Sequence, residues 1–247
     1  MMGIVGTILA IAGLMLVGTA RAVETWDVEF TGDGDPSTLF PQSGNVTSST
    51  YDFDDKFTTG DTTPGWLTVL NSAPGEGFLR RNFTISPPPN ALTKAGGWTL
   101  QWSFLSDPTI PTFTDKEAIN WSDDINVIVV HYDEDLVTIH NWTQAHEAVA
   151  SVPVNVLAEH SYRLVRQAGS DTVELYIDES PTAATSLALI APPEILNVVT
   201  WGQSGELPSA YDYFRWHSGA TVPIPEPTTL ALLGLGGLVL LGRWRRA

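Results

Sequence analysis

The stretch Trp98-Thr99-Leu100-Gln101-Trp102-Ser103-Phe104 has an apolar side chain at every even position and a polar one at every odd position. Successive side chains of a β-strand point to opposite faces, so an extended segment would place two Trp, a Leu and a Phe on one face. The apolar spacing of two, instead of the helical 3.6, therefore predicts a half-buried strand whose aromatic face meets a core.

The same spacing recurs along the chain. Val173-Glu174-Leu175-Tyr176-Ile177-Asp178 directs Val173, Leu175 and Ile177 to one side. Residues 125–132 are apolar on both faces, as in a strand at the middle of a sheet that is covered on both sides. Further strands are predicted at 25–30, 51–57, 66–70, 77–85, 136–142, 161–166, 186–190, 195–202 and 211–216. Short helices are predicted at 115–119 and 143–150, and residues 31–50 show no core pattern.

Turn-forming residues separate these segments. Gly169-Ser170 lies between two strand patterns and predicts a hairpin turn. Regularly spaced strands without convincing amphipathic helices predict an all-β fold, a two-sheet antiparallel sandwich or jelly roll. Other breaks occur at Gly32-Asp33-Gly34-Asp35-Pro36, Thr63-Pro64-Gly65, Pro87-Pro88-Pro89-Asn90 and Pro192-Pro193.

Charge and cysteine content exclude several classes of function. The chain has 247 residues and no Cys, and residues 23–221 hold 27 acidic and 8 basic residues, a net charge of −19. Nucleic-acid binding requires clustered Lys and Arg, and only Arg80-Arg81 are adjacent in this part of the chain. The lack of Cys excludes disulfides, thiol catalysis and Cys-based metal sites.

The first 22 residues predict a signal peptide. An apolar run at 4–17 precedes Ala20-Arg21-Ala22, the small-x-small pattern of a signal peptidase site, with cleavage after Ala22. No Lys or Arg precedes the apolar run, so the α-amino group alone supplies the positive charge. Without this segment and the C-terminal tail at 222–247, residues 23–221 would form one exported domain.

The last residues predict a membrane anchor. Residues 228–242 carry no charge and would form a transmembrane helix of roughly 22 Å, short of the roughly 30 Å hydrocarbon core. Arg243, Arg245 and Arg246 follow at once, and the positive-inside bias would keep them in the cytoplasm and the preceding domain outside. An ordinary C-terminal anchor with a Pro-rich spacer is one interpretation.

A more specific interpretation comes from Pro225-Glu226-Pro227. Followed by a short Leu/Gly-rich helix and the Arg cluster, it resembles the PEP-CTERM sorting signal, within residues 222–247. The resemblance implies recognition by an exosortase, a membrane protease, and transfer from the membrane to the cell envelope or the exopolysaccharide matrix.

A second resemblance covers residues 160–218. The segments 161–165, 173–178, 199–202 and 211–216 are similar to the closing strands of concanavalin A-like, laminin-G-like jelly rolls. The resemblance implies a lectin-like domain, although generic antiparallel sandwiches show similar patterns. Glycosidases of that superfamily carry Glu-x-Asp-x-(x)-Glu on one strand, and this chain lacks it, so we expect no catalysis.

Acidic clusters make calcium a candidate ligand, because carboxylate oxygens suit this cation. They do not complete an EF-hand loop, and solvated acidic turns are the simpler interpretation. His131, His140 and His146 match no zinc motif. The acidic clusters are Asp33 with Asp35, Asp52 with Asp54 and Asp55, Asp123-Asp124, and Asp133-Glu134-Asp135.

A sugar site needs an aromatic wall and a few polar groups. Trp121 and Trp142 stand beside acidic or polar turns, with Asp123, Asp133 and Asn141 as partners for hydroxyl groups. Packing of both rings in the core or at its rim is the alternative. The resemblance of the tail to the PEP-CTERM sorting signal implies association with extracellular polysaccharide, so we predict an exported, non-catalytic protein that binds glycan. A structural matrix protein without a defined ligand and a diverged polysaccharide hydrolase are the alternatives.

Overall fold

The computed structural model describes residues 24–32, 42–44, 49–55, 62–71, 76–82, 92–106, 116–142, 149–192, 198–204 and 209–223. Residues Trp26–Pro223 form one compact unit. Throughout the described ranges the regular elements are strands, so the prediction of an all-β fold is confirmed.

The strands follow the chain in this order: β1 Val28–Phe30, β2 Gln42–Gly44, β3 Ser49–Asp55, β4 Thr62–Asn71, β5 Glu76–Asn82, β6 Trp98–Ser106, β7 Lys116–Ser122, β8 Val127–Asp133, β9 Leu136–Asn141, β10 Val149–Pro153, β11 His160–Arg166, β12 Thr172–Ile177, β13 Thr185–Ala188, β14 Val198–Ser204, β15 Ser209–Tyr211 and β16 Phe214–Ser218.

Two antiparallel sheets form a sandwich. Sheet 1 has the order β13-β12-β11-β6-β15-β4-β3, and β16 pairs with both β6 and β1. Sheet 2 has the order β10-β9-β8-β7-β14-β5-β2. Strand β6 is the centre of sheet 1, since β11 lies along one side of it and β15 and β16 share the other.

The core between the sheets is largely aromatic. Trp98, Leu100, Trp102 and Phe104 of β6 all face it, as the alternation predicted. The indole N–H of Trp102 donates to the hydroxyl of Tyr132 in the opposite sheet, with 2.6 Å between nitrogen and oxygen. A buried Trp or Tyr needs such a partner for its polar atom, so this bond joins the two sheets without leaving either group unsatisfied.

Strand β6 is buried on both faces, which the sequence did not predict. Thr99, Gln101 and Ser103 point away from the core, yet each is at most 2% exposed. The chain ends of the compact unit help to cover them. Gly219 and Thr221 bond to the Thr99 hydroxyl, and the Trp26 ring packs against Arg163 and Arg215.

Most predicted strands are confirmed where the structure describes them. Strand β8 is buried on both faces between β7 and β9, and Gly169, at a φ of 73°, lies in the turn that joins β11 to β12. The helix predicted at 115–119 is wrong, because Lys116–Ser122 is strand β7. The pairing of β7 with β8 shifts its register between Glu117 and Ile119, so the alternation of a regular strand is interrupted there. Of the second predicted helix, residues 149 and 150 begin β10, and 143–148 lie outside the described residues.

The two end segments lie outside the described residues. This applies to the predicted signal peptide with Ala20 and Ala22, and to the predicted transmembrane helix at 228–242. Among the residues that are described, none belongs to a helix long and apolar enough to cross a membrane.

Candidate functional site

The structure brings together four of the five residues predicted to bind a ligand. Trp121, Asp123, Asn141 and Trp142 lie at one end of the sandwich, where β7 passes into β8 and β9 ends. Asp133 lies at the other end of β8, about 20 Å away at the rise of a β-strand. Asp133 therefore cannot share a small ligand with the other four.

Asp123 is the centre of a buried polar cluster that joins the two sheets. Its carboxylate forms an ion pair with Arg166 of β11, and both side chains are fully buried. The same oxygen accepts a hydrogen bond of 2.8 Å from the Trp98 indole. The other oxygen accepts the backbone N–H groups of Ile125 and Asn126 at 2.9 and 2.7 Å. The bonds from Arg166 and Trp98 hold the β7–β8 turn against the neighbouring sheet, and the two backbone bonds fix the turn itself.

The other residues at this end also have contacts within the protein. Trp121 is fully buried and packs against Trp98 and Trp216, at ring centroid distances of 5.5 and 5.4 Å. The Asn141 amide donates to the carbonyl of Ala188 and accepts the N–H of Ile190. Of the four predicted residues at this end, only Trp142 is partly exposed to solvent. Ligand binding at this end stays a prediction, for which Trp142 offers the accessible ring.

The described residues show where some candidate metal ligands lie. No three His, Asp or Glu side chains among them are grouped closely enough to hold a metal ion. The rings of His131 and His140 lie 4.5 Å apart between their centroids on β8 and β9, while His146, Asp33 and Asp35 lie outside the described residues. Calcium binding therefore stays a prediction.

A row of polar residues crosses the outer face of sheet 1. The strand registers place Glu29 beside Arg215, Arg215 beside Gln101, Gln101 beside Arg163, and Arg163 beside Tyr176. Adjacent strands lie about 4.8 Å apart, so the row is roughly 19 Å long. It contains two guanidinium groups, a carboxylate, an amide and a phenol, all of which can bond to hydroxyl groups.

The solvent-accessible part of this row is the end that contains Arg215 and Glu29. The Arg215 guanidinium donates to the Gln101 amide oxygen at 3.0 and 2.8 Å and to Glu29 at 2.9 Å. It also lies 4.4 Å from the ring centroid of Trp26 and 4.3 Å from that of Tyr213, which are cation–π distances. We call Trp26, Glu29, Glu179, Tyr213 and Arg215 the Arg215 surface. All five are half-buried or exposed.

Glu179 reaches this surface from the turn after β12. Asp178 and Glu179 have φ angles of 53° and 54°, a region that residues other than glycine rarely adopt. Asp178 is held by the N–H of Ser161 at 3.1 Å and by His160 at 2.8 Å. Glu179 accepts two hydrogen bonds from the Arg163 guanidinium at 3.2 and 3.1 Å. These hydrogen bonds stabilise the unfavourable backbone conformation of Asp178 and Glu179, which directs the Glu179 side chain towards the row of polar residues.

Two phenols on this face hold their protons strongly. Burial raises the pKa of Tyr213 to about 12, although the Arg215 charge opposes the shift. Burial, together with the hydrogen bond that its hydroxyl donates to Glu174, raises the pKa of Tyr176 to about 12. Both phenols are therefore neutral hydrogen-bond donors at physiological pH.

The sequence did not identify the Arg215 surface. The alternation in β1, β6, β11 and β16 places Glu29, Gln101, Arg163 and Arg215 on outward positions. What it does not show is that strands more than 180 residues apart are neighbours, as β1 and β16 are. The Tyr-x-Arg-x-His spacing of 213–217 was the available signal, because it puts an aromatic ring and two basic groups on one face.

Comparison with protein families identifies the C-terminal segment. Residues 223–246 match the family model of the PEP-CTERM protein-sorting motif, so the sequence-based recognition of this motif is confirmed. The motif implies export, a C-terminal membrane anchor before processing, and processing by an exosortase. It covers about a tenth of the chain. Comparison with curated proteins found no match.

Solved structures share the sandwich. A carbohydrate esterase from Shiga toxin-encoding bacteriophage phi24B aligns with a TM-score of 0.52 at 9% identity, over 79% of this chain and 99% of that one. An endo-1,3-beta-glucanase from Streptomyces sioyaensis gives 0.48 at 11% identity, over 82% and 100%. The binding domain of botulinum neurotoxin serotype D gives 0.49 at 9% identity over 71% of this chain, which spans 44% of that domain. At such identities the likeness concerns the fold alone.

Proposed function

We propose that this protein is a non-catalytic, glycan-binding sandwich that is exported, processed by an exosortase and retained in the cell envelope or the exopolysaccharide matrix. The observation that carries the proposal is the sorting motif at residues 223–246. The resemblance of this motif to the sorting signal of exopolysaccharide-producing bacteria supports a polysaccharide as the ligand. The jelly-roll, concanavalin A-like class of the sandwich is part of the same proposal.

Processing depends on the sorting motif in this proposal. We expect Glu226→Ala to accumulate an uncleaved precursor in the native host, since it removes the only charge between Pro223 and Gly242. Intact-mass measurement of the envelope fraction would show the wild-type chain shortened at both ends and the variant shortened at the N terminus alone.

The matched control is Glu134→Ala, which removes a carboxylate from the β8–β9 turn and should be processed like the wild type. Recovery of wild-type protein with an intact C terminus would contradict the sorting proposal.

The Arg215 surface supports glycan binding through its composition. A sugar presents hydroxyl groups at its edge and C–H groups on its face, which match carboxylates, guanidinium groups and aromatic rings. Trp26 and Tyr213 supply rings, and Glu29 and Arg215 supply bonding groups that orient one another. Glu179 supplies a further carboxylate, which is oriented by Arg163. Such fixed groups lose little freedom when a ligand binds.

Charge favours a neutral polysaccharide. Residues 23–221 carry a net charge of −19, and the exposed carboxylate of Glu29 lies on this face. An acidic polymer would be repelled at low ionic strength, whereas a neutral one would not. We therefore expect binding to be insensitive to salt.

Arg215→Ala should weaken binding to the neutral exopolysaccharide of the host at least tenfold. The change removes three hydrogen bonds and releases Trp26, Tyr213 and Glu29 from their fixed positions. Isothermal calorimetry or a polysaccharide pull-down, with and without calcium, would measure the loss.

Lys94→Ala is the control, because Lys94 is paired with Asp171 at the other end of the sandwich. Trp142→Ala tests the site predicted from the sequence. Loss of binding in that variant alone would show that the glycan binds at Trp142 and not at the Arg215 surface. Absence of binding by the wild type would favour a structural matrix protein, and release of reducing sugar would favour the hydrolase.

A further inference from the structure

The last five described residues form three hydrogen bonds with sheet 1 and one with Gly97, the residue directly before β6. We call Gly219–Pro223 the strap. The N–H of Gly219 donates to Gly97, and its carbonyl accepts from the Thr99 hydroxyl at 2.9 Å. The N–H of Thr221 donates to the same hydroxyl at 2.8 Å, and its carbonyl accepts from Arg163 at 3.2 Å.

The partners of the strap are themselves fixed. Thr99 is fully buried in the central strand β6, and the Arg163 residue is 4% exposed. Besides Thr221, the Arg163 guanidinium holds Glu179 and lies 5.8 Å from the Trp26 ring. Pro223, at the end of the strap, is buried as well. The strap is therefore a fixed part of the folded domain.

We propose that the sorting protease cleaves on the C-terminal side of Pro223, so that the mature protein keeps the whole strap. This inference rests on the proposed sorting function and locates its cleavage. Proteases bind substrates in extended conformation with free backbone groups, whereas those of Gly219 and Thr221 are already bonded to the sandwich. Cleavage within the strap would first require these bonds to break.

The inference also restricts how the partner protease reaches its motif. Only Ile224 lies between Pro223 and Pro225, so the Cα atoms of the two prolines are at most about 7 Å apart. The protease must therefore recognise Pro225-Glu226-Pro227 in a chain whose preceding segment, up to Thr221, is hydrogen-bonded to the sandwich.

Limited digestion of the purified full chain with a non-specific endoprotease tests the strap directly. We expect the resistant core of the wild type to end at Pro223 or beyond it. Thr99→Val removes the hydroxyl that bonds both Gly219 and Thr221, and should raise the cleavage rate within 219–222 at least tenfold. Arg163→Lys, which loses the guanidinium geometry but keeps the charge, should act in the same direction.

Thr185→Val is the control, because it makes the same change in strand β13, away from the strap. A wild-type core that ends before Gly219, or equal cleavage of wild type and both strap variants, would overturn the inference. In the host, the mass of the mature chain should include Pro223, and a mature chain ending at or before Val222 would also overturn it. An intact C terminus would instead contradict the proposed sorting, while the digestion result would stand separately.

Discussion

Asp123→Ala should lower the free energy of unfolding by about 3–5 kcal/mol, the usual cost of removing one partner from a buried ion pair. The loss is large because Arg166 would remain fully buried without its counter-charge. The Trp98 indole and the N–H groups of Ile125 and Asn126 would also lose their acceptor. Urea unfolding of the purified chain, followed by Trp fluorescence, measures the change.

An exposed ion pair provides the matched control. Asp171 pairs with Lys94 near the same end of the sandwich, but its side chain is 74% exposed. The hydrogen bond from Lys94 lowers the pKa of Asp171, yet solvent screens this interaction. Asp171→Ala should therefore leave the urea midpoint nearly unchanged. Equal effects of the two substitutions would show that the Asp123 ion pair does not hold the sheets together.

A double substitution separates the charge from the packing. Asp123→Leu with Arg166→Met replaces both members of the pair by apolar side chains of similar size. Such replacements are often neutral or stabilising, since the desolvation cost of two buried charges disappears. We expect the double variant to regain most of the stability that Asp123→Ala loses. If it does not, the bonds to Trp98 and the β7–β8 turn contribute more than the charge does.

The fold could be predicted where the pattern of apolar residues within a single strand is unambiguous. The alternation from Trp98 to Phe104 fixes which side of β6 faces the core, because the wrong side would bury Thr, Gln and Ser against it. The apolar run at 125–132 likewise predicted a central strand. The helix at 115–119 was predicted wrongly, since the pairing of β7 with β8 and β14 decides a segment whose own pattern is ambiguous.

The polar contacts were less predictable than the strands. Asp123 was predicted as a partner for sugar hydroxyl groups, but the structure pairs it with Arg166, which is 43 positions away in the sequence. The sequence did not predict the strap either. In the sequence, Thr99 resembles any outward-facing Thr of a strand, and only the structure shows that Gly219 and Thr221 bond to it. Such contacts depend on which strands become neighbours, and local periodicity does not contain that information.

Gly97→Ala should be strongly destabilising, by about 2–5 kcal/mol, because two independent costs coincide. Gly97 has a φ of 68°, and a side chain in this region costs about 1–2 kcal/mol. An added Cβ would also lie 2.6 Å from the Arg166 carbonyl oxygen and 2.8 Å from the backbone nitrogen of Ala168. These are backbone atoms of the β11–β12 connection, so the clash displaces the chain and adds a cost typical of overpacking. Urea unfolding measures the sum.

Gly169→Ala separates the cost of a side chain at positive φ from the cost of the steric clash. Gly169 has a φ of 73°, close to that of Gly97, but an added Cβ there meets no atom within 4 Å. This variant should lose only the conformational cost, about 1–2 kcal/mol. The difference between the two variants then reports how tightly the turn at 93–97 packs against the end of β11. If both variants lose the same stability, the close approach at Gly97 contributes nothing, and the turn must be free to move away from Arg166.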